Sequence, residues 1–197
     1  MLGLVGRLQA LSLAFYAKRE HLGNGGLMSI AKRIKNIAEL EGEFTLRSGK
    51  TSNRYFDKYK FEAEPELLSD IAKEMVKLIP VGTEVLCGLE MGGIPIVTMM
   101  SHHSGLPAAF IRKEPKEYGT CKYAEGTDLT GKKIVLVEDV VSSGGAILDA
   151  TRMLRDDGFT VDVTICAIDR ETGGKENLAD QNVQLVSLLL ASQLDNA

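Results

Sequence analysis

Apolar residues along this chain follow two spacings, one typical of helices and the other of buried strands. An apolar residue at every third or fourth position predicts amphipathic helices over residues 30–40 and 65–78. Uninterrupted apolar runs predict strands at residues 85–89, 108–111, 134–137, 161–168 and 185–190. The helical spacing returns between several of these runs, over residues 94–103 and 146–156. Nearer the start of the chain, two short strands are predicted on either side of a polar turn, at residues 44–46 and 55–61.

This alternation of strands and helices predicts the fold class. Strands that are apolar throughout are buried on both faces, and helices are the connections that parallel strands need. We therefore expect an α/β fold with a central parallel sheet flanked by helices. Ligands of such sheets bind beyond the carboxyl ends of the strands. The polar interval 113–132 is long for a connection in a compact domain, which favours a functional or mobile loop there.

Composition limits the partners that the chain can attract. Its 197 residues are enough for one domain, and its 23 basic and 27 acidic residues give a net charge of −4. This balance favours no general attraction to nucleic acid or to an anionic membrane, so an anion must be bound by a local basic cluster. Cys87, Cys121 and Cys166 are too few for a disulfide framework. We expect the first and last of them in the core of a cytoplasmic protein.

Residues 1–27 differ from the rest of the chain. Residues 2–16 are fairly apolar, and charged residues follow them at 18–21. A secretory signal carries its charges before the apolar part, so a signal is disfavoured, and an amphipathic anchor is a second alternative. We expect instead a peripheral or disordered extension, followed by a single domain at residues 28–197. No apolar stretch of the sequence is long enough to cross a bilayer.

The strongest candidate for chemistry follows the apolar run 134–137. Glu138 and Asp139 come first, and small residues at 142–145 precede a helical pattern. Carboxylates at a strand end can hold hydroxyl groups or a cation, whereas the free amides of a helix N-terminus can hold phosphate. Two solvated acids at a strand end are the ordinary alternative, but the small-residue turn favours a site. The segment therefore predicts a site for a ribose phosphate.

A basic cluster follows the predicted strand at residues 108–111. Arg112 offers a bidentate fork for phosphate, and Lys113 and Lys116 offer point charges. A solvated charged loop is the ordinary alternative. The cluster starts at the strand end where ligands are expected, so we predict a mobile loop that closes over a pyrophosphate.

Three further groups are weaker candidates. The glycines in the turn 90–95 let backbone amides approach an anion closely. Tyr55 and Phe56 can stack on a planar base, although one of them can equally belong to the core. Arg170 can pair with a carboxylate or carbonyl of a ligand, or it can form a surface ion pair with a neighbouring acid.

Together, these segments resemble the orotate phosphoribosyltransferases, a branch of the type I phosphoribosyltransferases. The resemblance runs from about residue 30 to residue 197. Residues 135–146 are similar to the family's phosphoribosyl-diphosphate motif, 112–119 to its flexible catalytic loop and 44–49 to its N-terminal hood. The resemblance implies the type I fold with a small hood, at about residues 28–62.

The resemblance also implies a reaction. The 5-phosphoribosyl group passes from phosphoribosyl diphosphate to orotate, which gives orotidine 5′-monophosphate and pyrophosphate in pyrimidine biosynthesis. Mg²⁺ is the implied cofactor, bound mainly through the pyrophosphate and the ribose rather than by protein ligands. The implied assembly is a cytoplasmic homodimer in which the basic loop of one subunit acts in the site of its neighbour.

Site roles follow from matching the motifs residue by residue. The residues implied in catalysis are Arg112, Lys113, Lys116 and Asp139. The residues implied to bind phosphoribosyl diphosphate are Arg112, Lys113, Lys116, Tyr118, Glu138, Asp139, Val140, Val141, Ser142, Ser143, Gly144, Gly145 and Ala146. The residues implied to bind orotate are Ser142, Arg170, Arg47, Tyr55 and Phe56.

Four positions depart from the family pattern, and they bear on the pyrophosphate contacts. Many relatives have Lys in place of Arg47, some have Lys in place of Gly92, and Tyr118 and Glu138 often appear as His and Asp. With Gly92 in place of that Lys, the chain lacks a cation that would contact the pyrophosphate directly.

Two other functions are weighed against orotate transfer. One is transfer to a purine or to uracil by an enzyme of the same superfamily, and the basic loop at residues 112–119 favours orotate over both. The other is a non-catalytic regulator that senses phosphoribosyl diphosphate and binds nucleic acid. Such a regulator needs an added basic domain or stripe, which the net charge of −4 disfavours.

Overall fold

The structure, a computed structural model, describes residues 24–45, 49, 51–114 and 123–197. In chain order, the described elements are α1 (Asn24–Ala38), β1 (Glu39–Thr45), β2 (Thr51–Phe56), α2 (Lys58–Glu62), α3 (Pro65–Val76), β3 (Val85–Leu89), α4 (Gly93–Ser104), β4 (Ala108–Ile111), β5 (Ala124–Gly126), β6 (Ile134–Val141), α5 (Gly145–Asp156), β7 (Val163–Asp169), α6 (Gly174–Ala179), β8 (Gln184–Leu190) and α7 (Ala191–Asp195). No helix in these ranges is long and apolar enough to span a bilayer.

Six strands form the central sheet, in the order β5-β4-β3-β6-β7-β8. Strands β4, β3, β6, β7 and β8 are parallel, and the short edge strand β5 runs antiparallel to β4. The chain builds outward from β3 in one direction to β4 and in the other to β6. The strand order therefore reverses between β3 and β6, where sheets of this kind bind their ligands. The predicted α/β class with a mostly parallel sheet is confirmed.

Helices cover both faces of the sheet, as the apolar strands require. On one face, an apolar cluster joins the sheet to α1, α3 and α4, with Ile34, Ile71 and Met100 fully buried. On the other face, Ile147 and Leu154 of α5 pack against the sheet. Cys87 and Cys166 are free and fully buried in this second cluster, so their predicted place in the core is confirmed.

A separate two-stranded sheet precedes the main domain. Strands β1 and β2 pair antiparallel, with Leu40 opposite Tyr55 and Glu39 opposite Phe56. The Phe56 and Phe61 rings lie 6.3 Å apart, and Phe56 packs against the main apolar cluster. The β1–β2 sheet therefore rests on the main domain beside the carboxyl end of β6, near the site described below.

Two predicted strands differ from the observed ones in ways that matter for the site. The predicted strand 55–61 ends at Phe56, and α2 follows, because Phe61 reaches the core from a helical turn. Strand β6 continues to Val141 rather than ending at residue 137, because it pairs with β7 through Glu138 and Val140. The acid pair therefore lies inside a strand and not beyond its end.

The start of the folded part also differs from the prediction. Helix α1 begins at Asn24, and Leu27 is buried in the core cluster. The predicted boundary between residues 27 and 28 therefore falls inside α1. Residues 1–23 lie outside the described residues, so the expectation of a peripheral extension stays a prediction for them.

Candidate active site

A cavity of about 260 Å³ opens where the strand order reverses. Glu90 follows β3 directly, and Glu138 lies near the end of the neighbouring strand β6. The cavity lining combines these two strand ends with a turn, a helix start and a basic residue. Its lining residues are Lys58, Tyr59, Glu90, Met91, Lys113, Glu138, Val140, Val141, Ser142, Ser143, Gly144, Gly145, Ala146 and Ile147.

The turn between β6 and α5 presents its polar groups to this cavity. Ser142 and Ser143 are exposed, and α5 starts after Gly144 without a side-chain cap, so its first N–H groups are free to bind a ligand. Gly144 has φ +78°, a conformation that favours glycine. These amides and hydroxyls, at the positive end of the α5 dipole, form an arrangement suited to a phosphate group.

The same turn is held in place from behind by α6. The Asn177 side chain donates a hydrogen bond to the Ser143 carbonyl at 3.0 Å. Gly174 lies so close that a Cβ there would be 2.3 Å from the Ser142 carbonyl oxygen. The turn is therefore positioned before any ligand arrives, which reduces the entropy lost on binding.

The two adjacent acids of β6 occupy different surroundings. Glu138 lines the cavity, although it is only 7% exposed. Asp139 is fully buried and accepts a hydrogen bond from the Val140 amide at 2.5 Å. The Nζ of Lys58 lies 2.7 Å from Asp139 Oδ2, and Asp139 is not among the residues that line the cavity. The predicted contact between Asp139 and the ribose therefore stays a prediction, and it requires this ion pair to rearrange.

Burial and hydrogen bonding divide the charges within this cluster. Burial raises the pKa of Glu138 well above its usual value, and contact with Asp139 raises it further. The pKa of Glu62 rises to about 9 for the same two reasons. Burial also acts to raise the pKa of Asp139, but hydrogen bonds with Glu138, Glu62 and Lys58 outweigh it and lower that pKa to about 2. The cluster therefore holds one ion pair, Lys58 with Asp139, beside two acids whose surroundings favour their neutral forms.

The basic segment begins at the cavity. The Lys113 amide donates a hydrogen bond to Glu90 Oε1 at 2.6 Å, and Lys113 lines the cavity. The Arg112 amide bonds to the Tyr123 carbonyl at 2.7 Å, and Arg112 is not among the lining residues. Lys116 and Tyr118 lie outside the described residues, so their roles stay predictions.

A second cavity, of about 530 Å³, adjoins the first and shares Ser142 with it. Tyr55, Phe56 and Arg170, for which base binding stays a prediction, line this cavity together with Lys35, Glu39, Ser52, Arg54, Ala191, Leu194 and Asp195. The Arg170 guanidinium lies 5.2 Å from the centre of the Phe56 ring, within range of a cation–π contact. Arg47 lies outside the described residues.

Backbone and side-chain bonds position Arg170 in this second cavity. Its amide donates to the Val141 carbonyl at 2.8 Å, which continues the β6–β7 ladder by one residue. The next residue, Glu171, accepts a hydrogen bond from the Ser192 amide at 2.8 Å and so links the β7 turn to α7. The Arg170 side chain therefore stands on a fixed backbone at the second cavity.

Sequence reasoning missed Lys58 and Glu62. Both were assigned to a strand or its end, whereas they begin and end α2 beneath the cavity. One signal was available, because Asp57 and Lys58 interrupt the alternation of apolar and polar residues that a strand requires. Nothing in the sequence pairs residue 58 with residue 139, a contact across 81 positions that depends on the tertiary fold.

Comparisons with known proteins agree with this geometry. The phosphoribosyl transferase domain model matches residues 60–187. The chain is 52% identical to the orotate phosphoribosyltransferase of Nocardioides sp. over 86% of this chain and 94% of that protein. It is 45% identical to the enzyme of the same name from Methanocella arvoryzae, over 78% of this chain and 87% of that protein. The crystal structure of Mycobacterium tuberculosis orotate phosphoribosyltransferase matches with a TM-score of 0.78 and 26% identity, over 86% of this chain and 98% of that one.

Proposed function

The chain belongs to the orotate phosphoribosyltransferases, and we propose that it transfers the 5-phosphoribosyl group from phosphoribosyl diphosphate to orotate. The products are orotidine 5′-monophosphate and pyrophosphate. One observation carries this proposal: two cavities of different chemistry meet at Ser142. The first offers amides, hydroxyls and lysines for a sugar phosphate, and the second offers aromatic rings and an arginine for a planar anion.

The second cavity supports an acidic pyrimidine as the acceptor. Arg170 can pair with the carboxylate of orotate, and the Phe56 ring beside it can pack against the face of the base. Uracil has no carboxylate, so it leaves Arg170 without a charged partner. A purine also lacks this group, and the arginine therefore favours orotate over both alternatives.

The reaction requires charge stabilisation more than proton transfer. The bond between the anomeric carbon and the diphosphate oxygen breaks, and its electron pair leaves with pyrophosphate. The ring nitrogen N1 of orotate then forms the new bond to carbon and gives up its proton to solvent, while the carboxylate keeps the negative charge of orotate. The developing negative charge is the difficult part, and we assign its stabilisation to Arg112, Lys113 and Lys116, of which Lys113 lines the first cavity.

The donor set of the first cavity fits Mg²⁺ carried in by the substrate. Among the described residues there is no cluster of three or more His, Cys, Asp or Glu side chains that can hold a metal ion. Glu138 is the one carboxylate of the acid pair that lines the cavity, so most ligands must come from the diphosphate, the ribose and water. Mg²⁺ bound in this way would neutralise charge on the leaving pyrophosphate.

The remaining parts of the proposal rest on the resemblance. We place Lys116 and Tyr118 on a loop that closes over the pyrophosphate of a neighbouring subunit in a cytoplasmic homodimer. Analytical ultracentrifugation checks the dimer. Activity regained on mixing an inactive Lys116→Ala chain with an inactive Arg170→Ala chain checks action in trans, because one hybrid site then has both residues.

A direct assay tests the function. The protein, Mg²⁺ and phosphoribosyl diphosphate are mixed with orotate, and the loss of orotate absorbance is followed, with uracil and hypoxanthine as competing bases. Of the three bases, we expect only orotate to be converted. In Arg170→Gln, the KM for orotate should rise while the KM for phosphoribosyl diphosphate changes little. A chain that transfers ribose phosphate to uracil or hypoxanthine at a comparable rate contradicts the proposal.

A further inference from the structure

Lys58 is a cation that lines the first cavity and also contacts the buried acid cluster of Glu62, Glu138 and Asp139. Its side chain is 33% exposed and begins α2, so the amine end lies between cavity and core. The Nζ atom makes an ion pair with Asp139 at 2.7 Å, and the side chain lines the cavity beside Lys113 and Glu138. An ammonium group has three donors, and Asp139 takes only part of this capacity.

The space around Asp139 explains why this cation comes from α2. A Cβ on Gly92 would lie 1.8 Å from Asp139 Oδ2 and 2.4 Å from its Cγ. No side chain can therefore leave residue 92 while Asp139 keeps its position. The turn after β3 cannot supply a cation at that point, whereas Lys58 of α2 contacts the same carboxylate.

The charges of the acid cluster allow the Lys58 amine to remain positive and to contact a second anion. Glu62 and Glu138 both have raised pKa values, because burial favours their neutral forms, whereas the pKa of Asp139 is lowered to about 2. Burial acts to lower the pKa of Lys58, but the hydrogen bond to Asp139 and the negative charges around the amine together outweigh burial and raise that pKa, so the amine stays charged. A diphosphate in the cavity brings several negative charges within reach of this amine.

We propose that Lys58 binds the diphosphate of the substrate, bridging it to Asp139, and so supplies the cation that residue 92 cannot. This inference rests on the proposed function and names a further binding residue for it. The bridge also links diphosphate binding to the position of Asp139.

The test compares ligands with and without a diphosphate. Isothermal titration calorimetry measures the affinity of Mg²⁺–phosphoribosyl diphosphate, Mg²⁺–pyrophosphate and orotidine 5′-monophosphate for wild type, Lys58→Gln and Lys58→Arg. Lys60→Gln is the matched control, because Lys60 lies on the same helix and is exposed. In Lys58→Gln, the affinity for both diphosphate ligands should fall at least about tenfold, since a charge-assisted hydrogen bond is lost. The affinity for the monophosphate should change less than about threefold, and Lys58→Arg should retain most of the binding.

Each other outcome overturns the inference. Unchanged diphosphate affinity in Lys58→Gln shows that the amine serves Asp139 alone, and an equal loss for all three ligands shows the same. If Lys58→Gln does not fold, the pair Lys58→Gln/Asp139→Asn is compared with Asp139→Asn, because that pair leaves no unpaired buried charge. The double variant should then bind the two diphosphate ligands more weakly than Asp139→Asn does, with little change for the monophosphate. A wild-type chain that makes no orotidine 5′-monophosphate overturns the proposed function first, whereas an active wild type with unaffected Lys58→Gln overturns this inference alone.

Discussion

Replacing Gly92 by Ala adds one methyl group at a point where the backbone permits it and the space does not. Gly92 has φ −69° and ψ −29°, which any residue can adopt, so the change carries no conformational penalty. The new Cβ would lie 1.8 Å from Asp139 Oδ2. Because carbon and oxygen atoms cannot approach so closely, Asp139 must move, and its contacts with Lys58 and the Val140 amide must lengthen or break.

The size of the effect follows from what Asp139 loses. Overpacking a buried site typically costs about 1–3 kcal/mol. Full separation of a buried ion pair costs about 3–5 kcal/mol, because one charge is left without its partner. We therefore expect Gly92→Ala to lower the free energy of unfolding by about 1–5 kcal/mol, depending on how far the carboxylate moves. The affinity for phosphoribosyl diphosphate should fall in parallel, because Lys58 and Asp139 shift together.

Urea unfolding followed by circular dichroism measures the free energy of unfolding, and calorimetry measures the affinity for phosphoribosyl diphosphate. Gly26→Ala is the matched control, because Gly26 lies in α1 and a Cβ there meets nothing within 4 Å. This control should keep or slightly raise stability, since Ala favours helix by up to about 1 kcal/mol over Gly. A Gly92→Ala chain within about 0.5 kcal/mol of wild type, with unchanged affinity, would refute the arrangement described for Asp139.

Three further predictions concern the same site. Folding raises the Glu62 pKa from 4.5 to about 9, so the stability that this proton provides is complete below pH 4.5 and is lost as the pH rises toward 9. Glu62→Gln should flatten this decline in urea unfolding across that window, and an unchanged slope would contradict it. Asp139→Asn should weaken the binding of phosphoribosyl diphosphate in calorimetry, and equal affinity would count against a role for the carboxylate. Lys116→Ala should lower kcat by about 10²–10³-fold without changing the melting temperature, and normal turnover would exclude a catalytic role.

The main sheet was the most predictable part of the fold. The strands at 85–89 and 108–111 have the bounds that the apolar runs predict, because every position of β3 is buried and flanking polar residues mark its ends. The edge strand β5 was missed because its residues Ala124–Gly126 are polar or small. Its place depends on pairing with β4, a contact that local pattern cannot report.

The candidate site was predictable where its cavity-lining residues follow a single strand. Ser142 and Lys113 were found because each lies directly after or near the end of an apolar strand, and both line the first cavity. Arg170 was found for the same reason and lines the second cavity. Lys58 was missed because its relation to the site comes from the packing of α2 against the end of β6, and because the strand predicted across it hid the helix.

The adjacent acids of β6 show why a two-residue motif does not amount to two equivalent contacts. Residues of a strand alternate between its faces, so Val135 and Val137 join the cluster beneath α4 while Ile134 and Leu136 join the cluster beneath α5. The same alternation carries Asp139 toward α2 and Gly92, and Glu138 toward the phosphate turn. Because β6 extends through both acids, Glu138 lines the cavity and Asp139 is the buried partner of Lys58. The different surroundings of the two acids therefore depend on β6 continuing to Val141, because a strand that ended at residue 137 would not hold the two side chains on opposite faces.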